Sequence, residues 1–415
     1  MVTRNRFGLL FVSLLALSCA SSTREESAAQ AANVSADDAD DVDPSDPVTH
    51  LAVIASPSME GRGTGSAGHR RAAEYVANEC RSAGLIGGIT TTPEPSFFQP
   101  FNVGGFPASP TASPDSHDEF GSEIFEDGLF VDGYASPDTL VEMNQALCAA
   151  WVASGQPCPT GAAAGTTDPR PLVAAAAVQT ENVVAVLPGS GPHKDEIILL
   201  SAHLDHLGKT SSATYFGADD NGSGSSALVA LMHRLARAHQ KQPADRTIAF
   251  LWTSGEEKGL LGAAYFADNP PASVPLSKIK QVVNLDMVGA WDDTRFSIGL
   301  DNLPGTTAAA ATIDAANREM ERPFVKIHRD IQAYARRQDG YAFTRKQVPA
   351  LFVFEGLSRA EGGGSLMSRY HKTSDTFEAL MAESNGSKIR RVVDVVTIAI
   401  GKLANPPASD ATAGR

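Results

Sequence analysis

The stretch EIILLSAHLDHLGKTSSATYFGADDNG, residues 196–222, determines how the rest of this sequence is interpreted. Its apolar run, Ile197 to Leu200, predicts a buried β-strand. Histidine and carboxylate side chains follow directly after that run: His203, Asp205, His206, Asp219 and Asp220. Because imidazole and carboxylate groups are common ligands of metal ions, the stretch predicts part of a metal site at a strand end and in the loop after it.

Strands and helices alternate around this stretch. The predicted strands are Asn182–Leu187, Glu196–Ala202, Thr247–Thr253, Val282–Leu285 and Ala350–Phe354. The predicted helices are Val48–Ile54, His69–Ala83, Ser223–Gln240, Glu256–Asp268, Thr306–Glu321 and Lys388–Leu403. This order predicts an α/β fold, a mostly parallel mixed sheet with helices on both faces. Such sheets bind ligands beyond the carboxyl ends of their strands, where the candidate metal ligands lie.

The amino-terminal end of the chain predicts export. Arg4 and Arg6 precede an apolar run, Phe7 to Leu17, which is too short to cross a bilayer and is typical of a signal peptide over residues 1–18. The sequence LALSC resembles a bacterial lipoprotein cleavage box, with Cys19 as the lipidated residue. The alternative is an ordinary signal peptide. We therefore expect a lipoprotein of the bacterial cell envelope, facing the periplasm or in the outer membrane, or a secreted protein if Cys19 carries no lipid.

The acidic charge of the chain is concentrated in one segment. The formal net charge is −14, and the segment from Arg24 to His50 contributes −7 of it through eight acidic residues and one arginine. Its composition, without aromatic residues, predicts a disordered acidic tether over residues 19–47. The catalytic domain is predicted over 48–405 and a flexible tail over 406–415. Because that domain has no basic stripe, the sequence argues against nucleic-acid binding.

A loop-rich insertion interrupts the predicted domain at about residues 102–176, which are rich in Pro, Gly, Ser and Asp. Insertions of this length often cover a binding site, and the alternative is a passive decoration. Cys148 and Cys158 lie within it, and an exported protein could join them as a disulfide. Cys80 falls in a helical pattern and is predicted to be a buried apolar residue.

Five segments place histidine or carboxylate residues at a predicted strand end or loop. They are HLDHLG at 203–208, GADDNGSG at 217–224, TSGEEKGLLG at 253–262, NLDMVG at 284–289 and YHKTSDT at 370–376. Together with EGRGTGSAG at 60–68, their order resembles peptidase family M28, the zinc aminopeptidases and carboxypeptidases with a bridged two-metal site. The resemblance covers about residues 48–404 apart from the insertion, and it implies the zinc-dependent exopeptidase fold, also described as phosphorylase/hydrolase-like.

The resemblance implies five ligands for two zinc ions. His203 and Asp286 would bind one ion, Glu257 and His371 would bind the other, and Asp220 would bridge both. Nitrogen and oxygen ligands with a position left open for water suit zinc in a hydrolytic site. Each ligand thus comes from a different one of the five segments.

The resemblance also implies roles for residues that bind no metal. Glu256 would be the general base that takes a proton from a water shared by the ions and passes it to the leaving amine. Asp205 resembles the carboxylate that orients the imidazole of His203, and Tyr370 resembles a tyrosine that stabilises the oxyanion, with packing as its alternative role. His206 is predicted to be structural.

The chain departs from the family pattern at Asp339. That aspartate often stands within Ser-Asp-His in the family, whereas this chain reads Arg337, Gln338, Asp339, Gly340 and Tyr341. The wall of the substrate pocket is therefore expected to differ here.

The predicted function is that of an exopeptidase that releases amino-terminal residues from peptide substrates and touches a membrane only through its lipid anchor. A carboxypeptidase or dipeptidase of the same fold is the enzymatic alternative, because the pocket that reads an amine or a carboxylate is not visible in the sequence. A single-zinc glutaminyl cyclase is disfavoured by the five ligands. An inactive surface lipoprotein with a binding role is disfavoured by the Glu256–Glu257 pair.

Overall fold

The computed structural model describes residues 43–91, 94–103, 178–290, 295–300, 303, 305–329, 331, 334–356 and 369–407. Four predictions lie outside these residues: the signal peptide with Cys19, the tether as far as residue 42, the insertion from residue 104, and the tail from residue 408. The candidate pair Cys148 and Cys158 lies there as well. No helix in the described ranges has the length and apolar character needed to span a membrane.

The described residues contain eleven strands. They are β1 (Ile86–Gly87), β2 (Phe98–Val103), β3 (Val178–Leu187), β4 (Ile197–His203), β5 (Gly208–Lys209), β6 (Thr214–Tyr215), β7 (Thr247–Thr253), β8 (Ile279–Leu285), β9 (Arg295–Leu300), β10 (Lys326–His328) and β11 (Ala350–Phe354). Strands β5 and β6 form a separate two-stranded sheet, and the other nine form the main sheet.

Eight α-helices accompany these strands in the same described ranges. They are α1 (Pro47–Ile54), α2 (Ala67–Ser82), α3 (Gly224–Lys241), α4 (Leu261–Asp268), α5 (Thr306–Glu319), α6 (Gly340–Thr344), α7 (Phe377–Ser384) and α8 (Ser387–Ala404). Helix α1 begins within the predicted tether, because Asp46 accepts a hydrogen bond from the backbone nitrogen of Val48. The domain therefore includes residues 43–47, a small correction to the predicted boundary.

The centre of the main sheet is parallel and its flanks are antiparallel. Strands β7, β4, β8 and β11 lie side by side in that order and run in one direction. Strand β3 is antiparallel to β7 at one side, and β9 is antiparallel to β11 at the other. The predicted α/β fold with a mostly parallel mixed sheet is confirmed, and its carboxyl ends meet at one edge.

Both faces of the sheet are covered, which explains why β4 is apolar without alternation. Ile198 and Leu200 pack in one buried cluster with α2, α3 and α8, while Ile197 and Leu199 pack in a second with α4 and α6. A parallel strand buried on both faces reads as a continuous apolar run. Cys80 lies on α2 with no exposed surface, which confirms its prediction as a buried residue.

One predicted helix is broken in the structure. Residues 256–268 were expected to form a single helix, but a short 3₁₀ turn, Glu256–Lys258, is separated from α4 by Gly259 and Leu260. Both separating residues have left-handed backbone angles, with φ of 104° and 59°. The two glutamates therefore lie in a tight loop above β7, and not at the start of a long helix.

Candidate metal centre and catalytic site

The candidate ligands converge at the carboxyl edge of the parallel strands. His203 is the last residue of β4, and Asp286 directly follows β8. Glu257 lies in the 3₁₀ turn that follows β7, and Asp220 lies in the irregular helical turn that precedes α3. His371 comes from the loop before α7, with a left-handed φ of 54° that is uncommon for a residue with a side chain. Sheet topology thus brings together residues from five segments.

Asp220 lies between two groups of ligands. The Nε2 atom of His203 is 3.4 Å from Asp220 Oδ1 and 3.4 Å from Asp286 Oδ1. On the other side, His371 Nε2 is 3.3 Å from Asp220 Oδ2 and 3.0 Å from Glu257 Oε2. The two oxygens of Asp220 therefore face different groups, as a carboxylate that bridges two ions requires.

The residues present fit a pair of zinc ions. Asp220 Oδ2 and Asp286 Oδ1 are buried, and neither has a hydrogen-bond donor in the described residues. Burying such oxygens without a partner is costly, so their convergence needs a compensating charge. Each side combines one imidazole with carboxylates, and that donor set suits zinc.

The two adjacent glutamates have opposite electrostatic surroundings. Burial raises the pKa of the Glu256 carboxyl well above its ordinary value, and the nearby His203 only partly opposes this. Burial also disfavours ionised Glu257, but the imidazoles of His371 and His206 outweigh it and hold the pKa of Glu257 well below its ordinary value. Glu257 is therefore an anionic ligand candidate, whereas Glu256 can carry a proton beside the site.

Glu256 lies close to the first ligand group without belonging to the bridged set. Its Oε2 atom is 3.9 Å from His203 Nε2, and 13% of its side chain is exposed to the cleft. Gly255, with φ of 74°, makes the sharp turn that orients the following glutamates. This position suits a carboxyl group that exchanges a proton with a bound water.

Asp205 connects the loop of His203 to the turn of Glu256. Its Oδ2 accepts a hydrogen bond from Thr64 Oγ1 at 2.7 Å, and its Oδ1 accepts one from the backbone nitrogen of Glu256 at 3.1 Å. The closest contact of His203 Nδ1 is the backbone oxygen of Asp205 at 3.0 Å, while the carboxylate lies 3.9 Å away. The predicted contact between Asp205 and His203 is therefore made mainly by the backbone oxygen of Asp205, and less by its carboxylate.

Substitution Asp205→Ala is expected to weaken zinc binding by about 10- to 100-fold, the usual range for residues that orient ligands. The backbone of Glu256 and the hydroxyl of Thr64 both lose their acceptor. Zinc retention during titration with a chelator measures the effect. Thr64→Val, which removes only one donor to Asp205, is the control and should have a smaller effect. Zinc retention equal to that of the unmodified protein would contradict this role.

His206 and Asp375 hold ligand residues in place. The Nδ1 atom of the fully buried His206 lies 2.7 Å from Glu257 Oε1, which leaves Oε2 facing His371. The carboxylate of Asp375 accepts hydrogen bonds from the backbone nitrogens of Asp219 and Asp220. The sequence had assigned His206 only a structural role and had missed Asp375, although it lies in the same motif as His371.

Arg62 is a buried cation that joins both ligand-bearing loops. Its side chain has no exposed surface and donates four hydrogen bonds of 2.8 Å to backbone oxygens. The acceptors are Leu204, Ile54, Phe216 and Gly217. Leu204 directly follows His203, and Gly217 directly precedes the turn that contains Asp220. The sequence drew attention to the segment EGRGTGSAG but gave this arginine no role.

A second cluster, formed by His50, Glu79 and His233, has none of the features of the candidate metal site. His50 Nδ1 contacts the Tyr75 hydroxyl at 2.6 Å and Nε2 contacts the Pro44 oxygen at 2.8 Å. His233 Nε2 lies 2.8 Å from Glu79 Oε2. These histidines are buried, His50 on α1 and His233 on α3. Because their facing atoms are already hydrogen-bonded, the cluster is a polar core network.

An aromatic wall adjoins the ligands. The cleft beside His203 and Asp220 is lined by Met287, Tyr334, Phe352, Phe354 and Tyr370, with Arg337 as an additional lining residue. Tyr370 stacks on the imidazole of His371, with ring centroids 3.7 Å apart. Burial raises the pKa of the Tyr370 hydroxyl well above the ordinary value.

Asp339 does not line this cleft. Its side chain is fully buried and accepts a short hydrogen bond from the hydroxyl of Thr253 at the end of β7. Burial raises the pKa of Asp339 to about 7. Arg337, two residues earlier, lines the cleft instead.

A comparison with family models matches more than half of the chain. The model described as peptidase family M28 matches residues 182–396. This range includes His203, Asp220, Glu257, Asp286 and His371. The matched region thus carries the whole candidate ligand set.

Curated relatives match a shorter part. Leucine aminopeptidase 2 of Trichophyton rubrum is 30% identical over 214 residues, which cover 48% of this chain and 40% of the relative. Leucine aminopeptidase 1 of Trichophyton equinum is 40% identical over 116 residues, which cover 26% of this chain and 29% of the relative. The chain therefore spans less than half the length of these relatives.

Solved structures resemble the chain over most of its length. The zinc aminopeptidase BSAP from Bacillus subtilis has a TM-score of 0.57 and 16% identity, and the alignment covers 88% of this chain and 95% of that one. An aminopeptidase from Aneurinibacillus sp. strain AM-1 has a TM-score of 0.56 and 17% identity over 88% of this chain and 95% of the other. At these identities, the comparison establishes a shared fold.

Proposed function

This chain belongs to peptidase family M28, and from that membership we propose that it is a two-zinc aminopeptidase. The match to the family model confirms the resemblance to this family that the sequence motifs predicted. The observation that carries the proposal is the position of Asp220, whose two oxygens face His203 on one side and His371 on the other at 3.4 and 3.3 Å. A bridging carboxylate of this kind suits two ions held close together.

The proposed ligands divide into two groups around that bridge. His203 and Asp286 would hold one ion, and Glu257 and His371 would hold the other. Ions bound there would make a shared water more acidic and polarise the peptide carbonyl. Glu256 would accept the proton of the attacking water and deliver it to the leaving amine, because it lies beside the ligand set, 3.9 Å from His203, without being part of it.

Charge around the site supports action at the amino end of a peptide. Asp220 and Asp286 would be occupied by the ions, which leaves Glu256 as the acidic side chain of the cleft that can pair with a protonated terminal amine. The aromatic wall suits an apolar first side chain. The curated relatives are named leucine aminopeptidases, which agrees with this polarity.

A substrate panel tests the proposal. Leucine anilide should be hydrolysed, hydrolysis should stop on addition of a chelator, and re-added zinc should restore it, because the buried carboxylates need a cation between them. Metal analysis of the active protein should find two zinc ions per chain. Release of the carboxyl-terminal residue from an amino-blocked peptide, with no action on leucine anilide, would favour the carboxypeptidase alternative.

A further inference from the structure

The cleft beside the proposed zinc site contains a single cation among its lining residues in the described ranges. Three acidic side chains and His203 lie on one side, and aromatic residues and Met287 form the wall. Met287, Phe352 and Phe354 pack in one buried cluster, with Tyr334 and Tyr370 against it. Arg337 belongs neither to the acidic group with His203 nor to the apolar wall. A charged residue beside an apolar wall needs an explanation, because an aliphatic residue would complete that wall equally well.

The guanidinium of Arg337 is available to a ligand. The residue is exposed, and in the described part of the chain no carboxylate lies within ion-pair distance of it. Its backbone nitrogen donates to the oxygen of Tyr334 at 2.9 Å, which fixes the turn that presents it. Two other arginines near the site differ: Arg369 pairs with Glu383, and Arg62 is saturated by backbone oxygens.

Arg337 lies in the same cleft as the carboxylates of Asp220, Glu256 and Asp286. The cleft thus has an acidic region at the ligands and a basic position at Arg337.

We propose that Arg337 binds a carboxylate of the substrate, so that this peptidase favours peptides carrying a negative charge near the scissile bond. A guanidinium binds a carboxylate through two parallel hydrogen bonds, which fixes both its position and its orientation. Held in this way, the carboxylate would fix how a bound peptide lies in the cleft relative to the proposed zinc site. This inference rests on the proposed aminopeptidase function.

The carboxylate can come from two sources, a free carboxyl terminus or an acidic side chain. The dipeptide Leu-Phe compared with Leu-Phe amide tests the first source, and glutamate anilide compared with glutamine anilide tests the second. In the zinc-loaded full chain, kcat/KM should be about 10- to 100-fold higher for the charged member of one pair, the range for a hydrogen bond to a charged group. Whichever pair shows the preference identifies the source.

Arg337→Ala should abolish that preference through KM, so that the charged and uncharged members of the pair are hydrolysed with equal kcat/KM. Arg337→Lys should restore only part of it, because an ammonium lacks the planar fork of donors. Arg336→Ala is the matched control: Arg336 is the adjacent exposed arginine and lies over the ring of Tyr341, 5.9 Å from its centroid. It should keep the full preference.

Binding measurements separate this inference from the proposed catalytic function. In a Glu256→Gln background, Leu-Phe or glutamate anilide should bind about tenfold more tightly than its uncharged partner, and Arg337→Ala should remove the difference. Equal binding of both members of each pair, or a preference that survives Arg337→Ala, would overturn the inference. Failure of the zinc-loaded protein to hydrolyse any of these compounds, with the binding preference intact, would overturn only the proposed function.

Discussion

Glu256→Gln is expected to lower kcat by about 10²- to 10⁴-fold without loss of zinc, the usual contribution of a positioned general base. The amide has nearly the shape of the carboxyl group but cannot accept the proton of the attacking water. Glu256 lies 3.9 Å from His203 and is absent from the bridged ligand set, so the metal centre should persist. Initial rates and zinc content of the same preparation measure both effects.

Glu257→Gln provides the matched control one residue away. Its Oε2 faces His371 at 3.0 Å and its Oε1 contacts His206 at 2.7 Å, so this substitution should reduce zinc binding as well as activity. The two substitutions should therefore distinguish Glu256 as the base from Glu257 as a metal ligand. Full activity of Glu256→Gln at normal zinc content would contradict its role as the base, and zinc loss from that variant would make it a ligand.

Arg62→Met is expected to lower the free energy of unfolding by about 4 kcal/mol or more. Four buried backbone oxygens lose their donor, and each buried acceptor left unpaired costs about 1–3 kcal/mol before the structure relaxes. Because these oxygens lie in the loops of His203 and Asp220, zinc affinity should fall together with stability. Denaturant unfolding with and without added zinc measures both quantities.

Two other variants support the interpretation of Arg62. Arg71→Met replaces an arginine that is 42% exposed and pairs with Glu60, and it should change stability by less than about 0.5 kcal/mol. Arg62→Lys keeps the positive charge but lacks the planar set of guanidinium donors. Its free energy of unfolding should therefore lie between those of Arg62→Met and Arg71→Met, and it should remain folded enough to measure. Equal unfolding midpoints for Arg62→Met and Arg71→Met would contradict the assigned role.

The sequence predicted the elements that position the site because they depend on local pattern. Strand β7 and strand β11 have the predicted bounds, and β4 differs by one residue at each end. A strand buried on both faces is a continuous apolar run, so it can be identified in the sequence without knowledge of its distant contacts. The order of the five motifs then predicted the family, which is confirmed, and the placement of their residues at one sheet edge.

Other features depend on contacts between distant residues. The acceptors of Arg62 include Leu204 and Gly217, 142 and 155 positions along the chain, so no local pattern could reveal them. Strand β10, of three residues, lies at the edge of the main sheet, and its neighbour β9 runs antiparallel to β11. The break between Glu257 and α4 was missed because the apolar pattern continues through Leu260, whose φ is positive.

The distribution of the ligands along the chain also constrains the order of maturation. In the proposed site Asp220 would serve both ions, and its neighbour His371 lies in the segment that also carries Asp375, whose carboxylate accepts a hydrogen bond from the backbone nitrogen of Asp220. During synthesis, about nine tenths of the chain precede that segment and emerge first. In the proposed two-zinc site, the ion of His203, Asp220 and Asp286 would therefore have its protein ligands first, and the second ion would wait for the last tenth of the chain to dock.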